Sequence, residues 1–146
     1  MILEHLSREK AEAYRDEHRL YAVISITDPD YPEANLQDDP NCVAVLRLAF
    51  HDFTEEPEEL LRLAPDEIEH VVLPDSYHAR EIVRFYREVA PQIQKLVIHC
   101  EAGVSRSAAV GAALAHCLRQ PDEQFYSGSH PNHRVRRLVI EAWRAL

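Results

Sequence analysis

One stretch constrains the fold of this chain more than any other. An apolar run, Lys95-Leu96-Val97-Ile98, leads into His99-Cys100-Glu101-Ala102-Gly103-Val104-Ser105-Arg106-Ser107, and an Ala-rich run follows to Leu118. The first run reads as a buried strand and the last as a helix. Backbone N–H groups then converge on one point, and the helix N-terminus adds partial positive charge there. Such a turn suits a doubly charged oxyanion. Cys100 and Arg106 stand at its two ends with five residues between them.

The residue types fit that geometry. Helix N-termini and neighbouring cations favour thiolate over thiol, and Cys100 has both the loop amides and Arg106 at hand. Arg106 offers a planar fork that grips two oxygens of one anion. Gly103 sits where a loop turning its amides inward needs positive φ. The chain has only 3 glycines, so one placed here is informative. The Ser107 hydroxyl is placed to donate to the Cys100 sulfur and stabilise it as a leaving group. His99 is expected to hold the loop by hydrogen bonds rather than act as a base. A buried structural thiol is the ordinary reading of a lone cysteine, but the arginine, the glycine and the flanking elements argue against it together.

Hydrophobic patterning organises the rest. Ser7 is placed to cap a helix running to about Arg19. Residues 21–27 and 43–50 read as strands, with a turn over 28–32 between them. Residues 54–70 are acidic (Glu55, Glu56, Glu58, Glu59, Asp66, Glu67 and Glu69) and read as a solvated insertion with a short helical stretch from Glu58 to Leu63. Asp75 or Ser76 caps a helix to about Val89, and Pro91 ends it. Strand 95–100 and helix 107–118 follow, and a last helix starts near Pro131. Alternating strands and helices predict an α/β fold over residues 1–146: a single domain with a mostly parallel central sheet flanked by helices. In parallel sheets ligands bind beyond the carboxyl ends of the strands. Cys100, Asp52 and Asp28 each follow a strand, so all three are expected on one rim.

Composition narrows the partners. A chain of 146 residues, 46% apolar, is long enough for a sizeable core. Its net charge of −9 argues against nucleic acid and against polyanionic lipid headgroups. No apolar run reaches membrane-spanning length, and the first residues lack a signal-peptide pattern. Three cysteines, at 42, 100 and 117, make neither a disulfide framework nor a metal pattern, so a reducing, cytoplasmic setting is expected. Cys42 and Cys117 read as packing residues, with a redox partnership between Cys42 and Cys100 left open. His51 is expected to face solvent, and Arg134, Arg136 and Arg137 to form a solvated basic face.

The pattern His-Cys-x5-Arg-Ser, with Gly103 inside it, resembles the signature loop of cysteine-dependent protein tyrosine phosphatases, especially the dual-specificity branch. Residues 24–29 and 46–52 are similar to segments of small predicted bacterial tyrosine phosphatases, and His130-Pro131-Asn132 to the dual-specificity group. The resemblance spans residues 20–146. It implies attack by the Cys100 thiolate on phosphorus, a phosphocysteine intermediate, and release of phosphate by water. It implies phosphate binding by Glu101, Ala102, Gly103, Val104, Ser105 and Arg106, with no metal or organic cofactor. The expected substrate is a phosphorylated protein carrying phosphotyrosine, with phosphoserine and phosphothreonine as further candidates.

A phenolate leaving group needs a proton donor, and three aspartates compete. Asp52 matches the family position of the acid, but residues 53–99 separate it from Cys100, a longer interval than usual. Asp75 is nearer in sequence and sits at a helix cap. Asp28 precedes Pro29 in a turn, where a structural role is expected. Two other functions use similar residues: a phosphate-reading module without turnover, and thiol chemistry of the sulfur-transferase or arsenate-reductase kind.

Overall fold

The computed structural model of the chain describes residues 1–54, 62, 64–68 and 70–146. Its centre is a four-stranded sheet, ordered β1 (Ile2–Leu6), β4 (Lys95–His99), β2 (Tyr21–Thr27), β3 (Cys42–Ala49). Every pairing is parallel. The two inner strands are apolar on both faces, as a sheet covered on both sides requires, and every residue of β2 is buried. The α/β expectation with a parallel sheet holds.

Strand alternation divides the core. Ala22, Ile24, Ile26, Leu96 and Ile98 face one side, against α3 (Ser76–Val89), α4 (Arg106–Cys117) and α5 (His133–Ala145). Tyr21, Val23 and Val97 face the other, against Tyr14 and Leu36. Helix α4 is buried on nearly every side from Arg106 to Ala115, which explains its small residues. At Gly111 a side chain would overlap the fully buried ring of Phe125.

Boundaries depart from the sequence reading in four places. First, β1 was not foreseen. Five residues at a chain start carry too little periodicity to register, and the strand forms because it pairs with β4 and buries Leu3. Second, α1 (Arg8–Ala13) is capped by Ser7 as expected, but it stops well short of Arg19. The Asp16 carboxylate accepts the N–H groups of His18 and Arg19, a local turn that competes with helix. Third, the last helix begins at His133, because the Asn132 side chain accepts the Val135 N–H and acts as the cap. Fourth, within the acidic stretch α2 (Pro65–Ile68) forms one helical turn. The helix expected from Glu58 to Leu63 lies outside the described residues, Arg62 aside. Elsewhere the edges shift by one residue. Asp75 caps α3 in a reciprocal box with His78, as its sequence position indicated. Among the described residues no helix is long and apolar enough to cross a membrane.

Candidate active site

Parallel pairing brings the ends of β2, β3 and β4 to one rim, and the Cys100–Arg106 loop lies there. The loop's shape follows from where its carbonyls point. The Cys100 carbonyl accepts from His99 Nδ1 at 3.0 Å, and Glu101 O from the Arg8 N–H at 3.0 Å. Gly103 O accepts from His5 Nδ1 at 2.9 Å, Val104 O from the His130 N–H at 2.8 Å, and Ser105 O from the Asn132 N–H at 3.1 Å. Each of these acceptors is engaged from outside the turn. A trans peptide sends its N–H opposite to its C=O. The amides of Glu101, Ala102, Val104, Ser105 and Arg106 therefore point the other way, into the turn. Among the described residues, those of Ala102, Val104 and Ser105 donate to no protein acceptor.

Cys100 lies at the floor, 2% exposed. Its sulfur accepts the Gly103 N–H at 3.2 Å and lies 3.2 Å from Ser107 Oγ. Gly103 has φ +77°, and a Cβ there would overlap Ser7 N and the Leu6 carbonyl. The glycine is thus required twice, by dihedral and by contact. Its amide goes to the sulfur, whereas those of Ala102, Val104 and Ser105 stay open.

His99 is fully buried and links the loop to the sheet. Burial pushes its ring below the ordinary histidine range, outweighing the upward pull of its bond to the Cys100 carbonyl. The ring is then neutral. A carbonyl accepts only, so Nδ1 carries the hydrogen, and Nε2 accepts from Ser25 Oγ at 2.6 Å. His99 holds the loop, as its sequence position suggested.

The three candidate aspartates separate cleanly. Asp52 reaches the loop: its Oδ1 accepts from Ser105 Oγ at 2.8 Å and from Asn132 Nδ2 at 2.7 Å. Asp75 is spent on the α3 cap. Asp28 lies on the rim, as strand order implied, and its carboxylate reaches Arg106, beyond the turn role its sequence suggested. Its Oδ1 accepts from Arg106 Nη1 at 2.6 Å, and the same nitrogen donates to Phe50 O at 2.8 Å. Arg106 Nε is buried without a partner.

Other expectations need correction. His51 is only partly open to solvent. Its Nδ1 accepts the Val72 N–H at 3.0 Å, so Nε2 carries the hydrogen and meets Asp30 Oδ2 at 3.1 Å. The basic face is only partly free, since Arg134 Nε donates to Pro74 O and Arg137 pairs with Glu141. Strand register rules out a Cys42–Cys100 disulfide. Cys42 and Lys95 both pair with Tyr21, so Cys42 is level with Lys95. That puts Cys100 roughly 16 Å further along the strand direction, and a disulfide needs Cα atoms within about 7 Å.

The sequence reading missed His5, Leu6 and Arg8. Leu6 O accepts the Cys100 N–H at 3.4 Å, and Arg8 Nη1 lies 3.2 Å from Glu101 Oε1. The Ser7 cap was the one available signal that this segment turns sharply after a short apolar run.

No protein-family model matches the chain by sequence, and neither does any curated protein. Solved structures do. Human DUSP28 superposes with a TM-score of 0.59 at 17% identity, covering 98% of this chain and 92% of its own. Tk-PTP in the active form gives 0.56 at 17%, covering 99% and 91%. PTPMT1 in complex with PI(5)P gives 0.53 at 19%, covering 86% and 78%. Identities this low speak for architecture alone: the chain has the fold of the dual-specificity and small tyrosine phosphatases.

Proposed function

We propose that this protein is a cysteine-dependent phosphatase acting on phosphotyrosine in proteins, with phosphoserine and phosphothreonine as further substrates. One observation carries the reading. A buried cysteine sulfur lies beneath a ring of inward amides, beside a buried arginine with an open N–H. In this reading the inward amides and Arg106 bind the three non-bridging oxygens. The Cys100 thiolate attacks phosphorus in line with the leaving oxygen, the P–O bond breaks, and the phosphoryl group passes to sulfur. Asp52 donates the proton that the phenolate needs. Its Oδ1 is taken by two donors, so the mobile proton belongs on Oδ2. Water then attacks the phosphocysteine, Asp52 takes a proton from it, and Ser107 Oγ–H stabilises the departing thiolate. His99 keeps the loop in shape, and no metal or cofactor enters a step.

PTPMT1, which shares this fold, was solved in complex with PI(5)P, so a phosphoinositide is the second ligand class to weigh. Asp28, Asp52 and Glu101 around the loop disfavour a polyanionic headgroup, so the phosphoprotein is the substrate we infer. Turnover of an aryl phosphate and of phosphotyrosine, phosphoserine and phosphothreonine peptides tests the reading. Cys100→Ser should cut turnover at least ~1,000-fold while phosphate still binds. Asp52→Ala should lower kcat ~100-fold on phosphotyrosine peptide, and less on an aryl phosphate with a better leaving group. Turnover should survive a chelator. Residual wild-type-like activity in Cys100→Ser rejects the mechanism.

A further inference from the structure

We propose that Asp28 is the positioning residue that aims Arg106 at its anion, an inference that rests on the phosphatase reading above. The Arg106 side chain is 6% exposed, and one nitrogen, Nη1, is shared between Asp28 Oδ1 and Phe50 O. A guanidinium is a rigid planar fork. Pinning Nη1 to two acceptors fixes both its plane and its rotation. Nε and Nη2 lie on the opposite edge, the one that grips an oxyanion side-on. Nε is buried with no partner. A buried N–H left unpaired is costly, so the fold holds an incomplete group that an oxyanion oxygen would complete.

Asp28 is itself registered to the loop. Its backbone N–H donates to Glu101 Oε1 at 3.4 Å, and that same oxygen meets Arg8 Nη1 at 3.2 Å. The turn after it is closed by the Tyr31 N–H on Asp28 O at 3.1 Å. Arg8, Glu101, Asp28 and Arg106 thus form a connected chain from α1 to the anion site, with the two acidic residues joined through the Asp28 backbone N–H. The Glu101 carboxylate, at first sight odd beside an anion, is engaged by Arg8 Nη1 and anchors the backbone of Asp28. The carboxylate of Asp28 sits on the edge of Arg106 that faces away from the open N–H. It orients the arginine without occupying the anion's place.

Inorganic phosphate binding, measured by calorimetry on the full chain, reads this role without turnover. Asp28→Ala should raise the Kd about tenfold, and Asp28→Asn, which keeps an acceptor oxygen, about threefold. In turnover, kcat/KM should fall by one common factor on phosphotyrosine peptide and on the aryl phosphate, because no proton transfer is lost. In an Arg106→Lys background, Asp28→Ala should leave the Kd unchanged. A Kd that stays at or below the wild-type value in the Asp28 variants overturns the proposal. So does an undiminished effect in the Arg106→Lys background, or a loss confined to the poorer leaving group, which would make Asp28 the proton donor. If Asp28→Ala gives no cooperative melt, Asp28→Asn decides on the same criteria. A wild type that binds phosphate and hydrolyses neither substrate removes the phosphatase reading but leaves the Kd comparison decisive.

Discussion

The anion loop has two walls, built in different ways. One is contiguous: His5, Leu6 and Arg8 bind its backbone, through the Cys100 N–H and the carbonyls of Glu101 and Gly103, and Ser7 between them packs against Gly103. The other is assembled from three distant segments. Asp28 follows β2, Asp52 follows β3, and Asn132 precedes α5; Asp28 engages the Arg106 side chain, Asp52 that of Ser105, and Asn132 holds Asp52 while its N–H donates to Ser105 O. The first wall fixes the shape of the turn and presents no free charge to its interior, since Arg8 is paired with Glu101 and Glu12. The second wall holds the proposed proton donor and the carboxylate that aims Arg106. Shape is thus delegated to backbone contacts, most of them from one short segment, and chemistry to side chains that only the complete sheet brings together.

The sharpest way to break this division is at Gly103. Alanine there would need a left-handed φ and would press its Cβ into Ser7 and Leu6. Relief requires moving the loop or the β1–α1 corner. Gly103→Ala should lower stability by about 2–4 kcal/mol and cut kcat/KM at least ~100-fold on every substrate, whatever the leaving group. A melting curve and turnover of two aryl phosphates check both parts. A variant that melts normally and turns over normally would show that the first wall does not set the shape of the turn.

Asn132 probes the second wall and should have a smaller effect. Its Nδ2 donates to Asp52 Oδ1 and to Phe53 O, while its Oδ1 caps α5. Asn132→Ala removes the cap, costing about 1–2 kcal/mol, and frees Asp52. Turnover should drop about tenfold on phosphotyrosine peptide and less on a better leaving group. Asn132→Asp restores the cap acceptor but places a carboxylate against Asp52. It should recover thermal stability relative to alanine without recovering turnover. Equal losses on both leaving groups would separate Asn132 from proton donation.

The two walls were unequally visible in the sequence, for physical reasons. The loop itself was legible because Cys100, Gly103 and Arg106 carry its chemistry in nine consecutive residues between a strand and a helix. The rim was legible too, since strand–helix alternation implies parallel strands and these put Asp28, Asp52 and Cys100 at one end. The β1 wall was not. It acts through backbone atoms, and any short extended segment offers the same N–H and C=O groups. Asp28 looked like a turn residue because its carboxylate acts on an arginine 78 positions away. His51 looked solvent-facing because its two partners, Val72 and Asp30, are brought to it only by the fold. Such pairings leave no local trace.

His99 joins the walls, and its test is the subtlest. The ring bridges the Cys100 carbonyl and Ser25 of β2, buried and neutral. In the unfolded chain it would take a proton near the ordinary value of 6.5; in the fold burial holds it below that. The unfolded state therefore binds the extra proton as pH falls through 6.5, and the folded state does not. The stability that neutral His99 contributes is complete above about pH 6.5 and declines below it, until the depressed folded value is reached. Asparagine offers an amide donor near the Nδ1 position and does not titrate. His99→Asn should melt below wild type at pH 8, and the gap in Tm should narrow as pH falls to 5.5. Other histidines and the acidic groups titrate in both proteins, so the difference between the two curves isolates this ring. A gap that widens in acid would mean that His99 is protonated in the fold. The link between the walls would then run from a charged ring to the Cys100 carbonyl and Ser25, and its charge would lie directly beneath the anion.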